Sequence, residues 1–343
     1  MAREYEEDEE ENALEYEENP GLANWNRLAS NRAIFDGDVN EEIGFDRVRA
    51  NRGPDGVSLN GGPYVEITPA FHYKTAEGKT KSFRKSTLFT WTSKMSCPSF
   101  SIPAGPVDKG GTCPAAKISS IEGEGSYTEY SEPIDEIPAG QKFICDVCYA
   151  GKGRYLMYKS MSIGQMAKLL WVKKTLRAGT FARRMAEALG SLIDPDTERA
   201  LAAKNVSNRF FRIHDAGDFF SPEYYRGWVD VCNQFTGKMG RTGHPLIYFW
   251  APTRMWVYEK YRRLFENYPP PPNLSLRPSA LFTSAAPPSI EGLAEGSTSV
   301  DGRMPKPVWN CPAYEGTEEA SCAAVKCRVC WTQREKPVNY LTH

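Results

Sequence analysis

The chain's length of 343 residues allows one large domain of the barrel type or two ordinary domains, and its 41% hydrophobic content is enough to bury a sizeable core. No apolar run approaches the roughly 20 residues of a membrane helix, and the N-terminus has no signal-peptide pattern, so we expect a cytoplasmic protein without a membrane partner. In that reducing compartment, nine cysteines favour metal binding over disulfides.

The formal net charge of −1 hides an uneven distribution of charge along the chain. Residues 1–20 contain ten acidic residues and one basic residue, and without them 41 basic and 33 acidic residues remain. Residues 21–343 therefore carry a formal charge of +8. A run of like charges with few apolar residues predicts a solvated, disordered tail. An internal mimic of nucleic acid that covers a basic surface is the alternative.

Residues 21–87 predict an irregular opening segment and a β-hairpin. Gly and Pro interrupt the first part, and two β-prone runs at 64–73 and 81–92 then flank a Glu-Gly turn. The second run contains the first predicted core strand, at 88–91. The hairpin should therefore lead directly into the main domain.

From residue 155 onward, helical and strand patterns alternate along the chain. The predicted helices are 161–190, with a break at Ala178-Gly179, a helix that begins after Ser221, and 255–265; the predicted strands are 210–214, 246–250 and 274–276. This alternation predicts βαβ units with a parallel sheet. No Gly-x-Gly-x-x-Gly or Gly-x4-Gly-Lys-Ser/Thr segment supports a nucleotide-binding open sheet. We therefore expect an α/β fold, a TIM-barrel-like (β/α) barrel, complete or partial, over residues 88–331, with 332–343 as a C-terminal tail.

Four cysteines near the end of the chain form the first candidate metal site. They are Cys311, Cys322, Cys327 and Cys330, and we call them the C-terminal thiol group. The spacing Cys-x4-Cys-x2-Cys of the last three is that of plant-type ferredoxins, although the fourth cysteine lies upstream here. The spacing predicts an iron–sulfur cluster, with structural zinc as the alternative metal.

Three further cysteines, which we call the thiol trio, form a second candidate site: Cys113, Cys145 and Cys148. They lie in or next to a long loop rich in Pro, Gly and Ser, and such loops inside a compact domain are often functional. Three thiolates could hold a cluster with one open iron, or a cysteine of the C-terminal thiol group could complete the set. Cys97 and Cys232 are interpreted as bystanders.

Polar residues follow three predicted strands, at the ends that share one face in a barrel. His214, Asp215 and Asp218 are the candidate catalytic residues, as an acid/base pair or as ligands of a second metal. The alternative is a turn in which Asp218 caps the next helix and a glycine takes a positive φ. Arg254 and Arg277 are the candidate cofactor-binding residues, and exposed aromatic rings beside them could stack on nucleic-acid bases.

Several short segments occur in a fixed order between residues 88 and 331. They are Cys113–Ala116, Cys145–Ala150, Gly153–Tyr155, Arg212–Phe220, Cys311-Pro312 and Cys327–Trp331. Together they resemble the bacteriophage gene product 88 domain family. The resemblance implies a phage protein in the host cytoplasm with a barrel-like fold and a cysteine-bound 4Fe-4S cluster, and it implies no particular reaction.

Three classes of function are therefore open. The first is an iron–sulfur (4Fe-4S) protein with a redox, cluster-dependent catalytic or host-modulating role, whose partner would be a host protein or a small-molecule substrate. The second is a zinc-stabilised module that binds nucleic acid through the basic body of the chain. The third is a metal-dependent hydrolase that uses His214, Asp215 and Asp218.

Overall fold

The structure is a computed structural model that describes residues 48–50, 65–67, 71–74, 80–83, 86–92, 95–116, 138–190, 192–193, 207, 209–237, 245–315 and 321–341. The predicted acidic tail at 1–20 lies outside these residues. Among the described helices, none combines the length and the apolar character needed to cross a membrane.

Five short strands precede the main domain. β1 (Val48–Ala50), β2 (Val65–Ile67) and β5 (Ser86–Thr87) form an antiparallel sheet, and β3 (Phe71–Lys74) pairs antiparallel with β4 (Thr80–Phe83). The first predicted run is therefore divided between two sheets. Its Pro69 has no N–H to donate to a ladder, which is a physical reason for the division.

The main sheet has five strands in the order β10-β9-β8-β7-β6. The strands are β6 (Thr90–Thr92), β7 (Cys97–Phe100), β8 (Phe210–Ile213), β9 (Tyr248–Thr253) and β10 (Leu274–Pro278). β7 to β10 are parallel, and β6 joins as an antiparallel edge. The predicted α/β class is confirmed. A TIM barrel is not shown, because β6 and β10 are the two edges of a sheet that does not close.

The helices lie on the connections between the parallel strands. They are α1 (Arg154–Met157), α2 (Lys159–Arg177) and α3 (Phe181–Gly190) between β7 and β8, α4 (Pro222–Asn233) between β8 and β9, and α5 (Glu259–Asn267) between β9 and β10. The predicted break at Ala178-Gly179 is confirmed, and Gly179 has φ 63°. Ser221 caps α4 as predicted, since its Oγ accepts a hydrogen bond of 3.2 Å from the N–H of Tyr224.

The two faces of the main sheet pack against different parts of the chain. On one face, Phe211 and Phe249 pack with the helices in the main hydrophobic core, which includes Trp228. On the other face, Phe210 and Trp250 contact the C-terminal part of the chain. This division follows from the alternation of side chains along a strand.

The C-terminal part of the chain forms a second, three-stranded sheet. Its strands are β11 (Ser297–Val300), β12 (Trp309–Asn310) and β13 (Val338–Leu341). Two short helices, α6 (Pro312–Glu315) and α7 (Val329–Thr332), lie between β12 and β13 in the chain. The strands are parallel, in the order β11-β13-β12. The predicted C-terminal tail thus contains the central strand of this sheet, and α7 packs against β9 and β10 of the main sheet.

Candidate metal centres

The C-terminal thiol group is brought together in one packed cluster. All four cysteines are free thiols. Cys311 and Cys330 are buried in this cluster, and Cys322 and Cys327 pack against it. The cluster also contains Trp250 of the main sheet. The structure therefore places these four predicted ligands in one region, between the C-terminal elements and the sheet.

Local backbone bonds fix the spacing of these thiols. The N–H of Cys327 donates to the carbonyl of Cys322 over 2.9 Å, which closes the turn between the two residues. The N–H of Cys311 donates to the carbonyl of Asn339 in β13 over 2.9 Å. The Cys330 sulfur lies 3.3 Å from the Tyr340 hydroxyl, within hydrogen-bond distance. Hydrogen bonds to sulfur are one means by which a protein tunes a bound cluster.

Burial raises the pKa of three of these thiols, those of Cys311, Cys322 and Cys330, and so keeps them protonated at neutral pH. It raises the pKa of Cys311 to about 12 and that of Cys322 to about 11, and the neighbouring Cys330 thiol adds to both shifts. Burial also raises the pKa of Cys330, while the charge of Arg277 opposes the shift. A metal that binds here must therefore displace protons, so its affinity falls as the pH falls.

Three arginines place positive charge beside the C-terminal thiol group. Arg212 stacks its guanidinium 4.7 Å from the Trp250 ring centre, and Arg328 lies 4.9 Å from that of Phe210. Arg277, predicted to bind a cofactor, is fully buried. Its guanidinium donates to three carbonyls, those of Gln333 at 3.1 Å, Lys336 at 2.6 Å and Glu295. Arg277 thus ties β10 to the C-terminal segment and also contributes charge.

The thiol trio lies in the loops beyond the carboxyl ends of the parallel strands. The N–H of Cys113 donates to the carbonyl of Gly105 over 3.0 Å, and the N–H of Cys148 donates to the carbonyl of Cys145 over 3.3 Å. Cys145 is buried in the main core. Cys113 and Cys148 pack together with Tyr155 against a patch of small residues, namely Ala104, Ala150 and Ala216.

Arg254 is the basic partner of the thiol trio. Burial raises the pKa of Cys145 to about 12, and the charge of Arg254 opposes this shift. Burial by itself would lower the pKa of Arg254. The negative charges of the trio, that of Cys145 most strongly, and of Asp218 outweigh burial, so the pKa of Arg254 is raised. The Arg254 Nε donates to the carbonyl of Ala280 over 3.2 Å, which holds the guanidinium in place. Its predicted role at a cofactor site remains a prediction.

Asp215 organises a polar cluster beside the trio. Its Oδ1 lies 3.2 Å from Arg212 Nη1, and its Oδ2 accepts a 2.7 Å hydrogen bond from the Tyr155 hydroxyl. The Tyr149 hydroxyl donates to the Asp215 carbonyl and accepts from Arg212 over 3.0 Å. Both tyrosines closely follow Cys148, and neither was predicted as a site residue. Their adjacency to a candidate ligand was the available signal.

The three predicted catalytic side chains have separate partners. His214 is buried with φ 62°, and its Nε2 lies 3.0 Å from the Tyr224 hydroxyl while Nδ1 has no partner. Burial and then Arg212 lower its pKa to about 3, so the imidazole is neutral. Across the described residues, no hydrogen bond joins His214 to Asp215 or Asp218. Their assignment as an acid/base pair remains a prediction.

Asp218 connects two loops. Its Oδ1 accepts hydrogen bonds from the N–H of Phe219 at 2.8 Å and from the Thr253 hydroxyl at 2.7 Å, and its Oδ2 accepts from the N–H of Arg254 at 2.9 Å. Burial raises its pKa, and these bonds oppose the shift. The alternative in which Asp218 caps the next helix is wrong, because Ser221 is the cap. The positive φ that this alternative gave to Gly217 is confirmed, at 92°.

The two thiol groups belong to different packed clusters of side chains. Within the described ranges, no three His, Cys, Asp or Glu side chains are arranged so that they could hold a metal ion. Cys97, interpreted as a bystander, is buried in the same cluster as the C-terminal thiol group, and Cys232 is buried in the main core.

The described residues form an α/β architecture that carries two separate groups of free cysteine thiols. The sequence profile of the family called gene product 88 matches residues 72–333, about three quarters of the chain. The protein belongs to the gene product 88 family. No curated protein and no solved structure is significantly similar to it.

Proposed function

We propose that this protein binds a 4Fe-4S cluster through Cys311, Cys322, Cys327 and Cys330. One observation carries the proposal: four free thiols, with a spacing close to that of plant-type ferredoxins, pack in one cluster beside three arginines. Thiolates and cluster together form an anionic centre, which nearby cationic side chains stabilise. Zinc is the alternative metal, because it also accepts four thiolates.

The thiol trio is proposed as a second centre. Three thiolates leave one metal position for a substrate or a further ligand, whereas four close the site. Arg254 would offset part of the negative charge, because the trio already acts on its pKa. Tyr149 and Tyr155 hold Asp215 at this end of the sheet, and Tyr155 also packs with Cys113 and Cys148.

When bound, iron–sulfur clusters supply one-electron transfer, and an incompletely ligated cluster also supplies an open iron. The role would be redox, cluster-dependent catalysis or modulation of the host, in the cytoplasm of a host cell infected by the phage. The partner would be a host protein or a small-molecule substrate. We interpret the fold as part of a (β/α) barrel, since β7 to β10 are parallel and helices occupy their connections.

The proposal is tested by anaerobic purification of the full chain and measurement of iron, sulfide and zinc. The expected protein is brown and contains about four irons and four sulfides for each cluster, with Mössbauer spectra typical of a 4Fe-4S centre. Colourless protein that contains only zinc would overturn the proposal.

Matched variants assign the ligands. Cys327→Ser should remove the signal of the C-terminal cluster, because one of its four thiolates is lost. Cys232→Ala is the control, since Cys232 is buried in α4 and belongs to neither thiol group. Retention of all iron in Cys327→Ser, or an equal loss in Cys232→Ala, contradicts the assignment.

A further inference from the structure

Helix α2 buries a row of three polar side chains, and among the described residues two of them carry a buried polar atom without a hydrogen-bond partner. Ser162, Gln165 and Lys168 follow one another at intervals of three residues, so they lie along adjacent turns on one side of the helix. They are 3%, 7% and 3% exposed, respectively. Side chains of these types are mostly found at the surface of proteins. We call these three residues the polar row of α2.

Lys168 is the least expected member of the polar row. Its Nζ lies 5.8 Å from the ring centre of Phe100, and across the described residues it has no hydrogen bond or ion pair. Burial lowers its pKa to about 8, and the charge of Asp215 acts in the opposite direction. Lysine is almost never fully buried unless its charge is paired. Asp215 is therefore the anionic side chain that acts on Lys168, but among the described residues no carboxylate forms a direct ion pair with its ammonium.

The other two members of the row, Ser162 and Gln165, carry buried hydrogen-bonding groups that also lack a partner among the described residues. The Ser162 Oγ and the Gln165 Nε2 are buried, and neither has a hydrogen-bond partner in the part of the chain that the structure describes. Nearly all buried polar groups in native proteins are paired, so each such group calls for an explanation. A water molecule could satisfy a single buried hydroxyl. The polar row instead offers three donors on one side of the helix: a hydroxyl, an amide N–H and an ammonium.

We propose that Ser162, Gln165 and Lys168 bind an anionic oxygen group, a phosphate or a carboxylate, of a small molecule. The ammonium provides a compact positive charge, and the amide and the hydroxyl provide directional donors to the remaining oxygens. This site contains no cysteine, so it goes beyond the proposed metal function and can be tested on protein of any metal content.

The polar row and the thiol trio share a neighbour. The charge of Asp215 acts on Lys168, and Asp215 also accepts the hydrogen bond of Tyr155. Tyr155 in turn packs against Cys113 and Cys148. A small molecule held by the polar row would therefore bind near the end of the sheet where the thiol trio lies.

The test is thermal unfolding of the full chain in sodium phosphate, sodium acetate and sodium chloride at equal ionic strength. A ligand that binds only the folded state raises Tm, and the shift grows with the logarithm of the ligand concentration relative to Kd. We expect phosphate or acetate to raise Tm more than chloride does. Lys168→Met should raise the anion concentration that gives half of the maximal Tm shift by about tenfold or more, because a charge-assisted contact is lost.

Lys173→Met is the matched control, because Lys173 lies on the same helix and is exposed. It should respond to the anions as the wild type does. Without added anion, Lys168→Met should unfold at the same Tm as the wild type or a higher one, because an unpaired buried charge is replaced by an apolar side chain of similar length. If Lys168 served only to stabilise the fold, Lys168→Met would instead lower Tm.

Gln165→Leu provides a second test that keeps the charge, and it decides the question if Lys168→Met does not fold. It should weaken the response to the same anion. A response to phosphate alone identifies a phosphate ligand, and a response to acetate alone identifies a carboxylate. Equal responses of the wild type and the variants, or no response beyond that to chloride, would overturn the proposal.

Discussion

The thiol trio and the C-terminal thiol group differ in what surrounds them. Cys148 of the trio is partly exposed, and the next residue, Tyr149, is 46% exposed. Cys311 and Cys330 are instead buried beside the indole rings of Trp250 and Trp331. A group of three thiols, of which only Cys145 is buried, suits a site that meets a ligand. A group of four thiols, of which two are buried, suits a site that holds the chain together.

Each group also has an arginine from the end of a main-sheet strand, and the two arginines are used differently. Arg254 follows β9 and is held by Asp218 and by the carbonyl of Ala280. Arg277 in β10 donates to carbonyls of the C-terminal segment itself. The C-terminal thiol group is thus part of the connection between the two sheets, whereas the trio is attached to loops on one side of that connection.

The largest expected effect is a difference between Cys330→Ser and Cys148→Ser in metal-loaded protein. Cys330→Ser should lower the free energy of unfolding by about 5 kcal/mol or more, because metal binding at a closed thiolate site contributes directly to folding. Cys148→Ser should cost less than about 1 kcal/mol, since its side chain is partly exposed and its group lies in loops. Anaerobic urea unfolding measures both values.

Equal losses in these two variants would contradict the distinction between the groups. Equal losses of unfolding free energy in metal-free protein would not contradict it, because without metal the thiols contribute to stability only through packing. The comparison is therefore repeated after removal of the metal with a chelator, and the Cys330→Ser effect should then become much smaller.

The second expected effect concerns Trp331, which anchors α7 on the main sheet. Its Nε1 donates to the Phe211 carbonyl over 3.0 Å, and its ring lies 5.1 Å from that of Trp250. Trp331→Ala should cost about 4 kcal/mol through lost burial and a cavity. Trp309→Ala is the control, because Trp309 is 37% exposed and mainly contacts Lys336, 5.1 Å away, so about 1 kcal/mol or less is expected.

Thermal and urea unfolding of the Trp331 and Trp309 variants measure these costs. If the C-terminal thiol group is part of the fold, Trp331→Ala should also lower the metal content of this group and leave the trio unchanged. A Trp331→Ala protein with wild-type stability would mean that α7 does not hold the C-terminal segment on the sheet.

The sequence predicted the elements whose signals are local. The break at Ala178-Gly179 and the cap at Ser221 depend on one or two residues, and both were found at their predicted positions. β7 was missed because Cys97–Phe100 contains a Pro and two polar or small residues, which are typical of a loop. It is nevertheless a fully buried strand between β6 and β8, so tertiary pairing overrides the local preference.

The grouping of the cysteines was predictable from their spacing, but their surroundings were not. Asp218 is hydrogen-bonded to Thr253, 35 residues away, and only the folded sheet brings the two together. The expectation that Arg277 lies beside exposed aromatic rings differs from its complete burial in the structure. The charge of an arginine is visible in the sequence, whereas the carbonyls that receive its hydrogen bonds are set by the arrangement of the two sheets.

The smallest expected effect tests how tightly the trio is held by its own loops. Gly217 has φ 92° and Gly140 has φ 76°, so an alanine at either position takes a strained backbone conformation that costs about 1 kcal/mol. A Cβ at Gly217 would also lie 2.5 Å from Ile102 Cγ1 and 2.7 Å from Thr112 Oγ1, whereas one at Gly140 meets nothing within 4 Å.

Gly217→Ala should therefore cost about 2 kcal/mol more than Gly140→Ala in urea unfolding, because packed neighbours must shift to make room. Thr112 directly precedes Cys113, so this shift should also lower the metal content of the trio while the C-terminal thiol group keeps its own. Because both variants share the backbone penalty, their difference isolates the contact between Gly217 and the loop that carries Cys113. Equal costs for the two variants would mean that this loop yields freely and that packing does not fix the position of the trio.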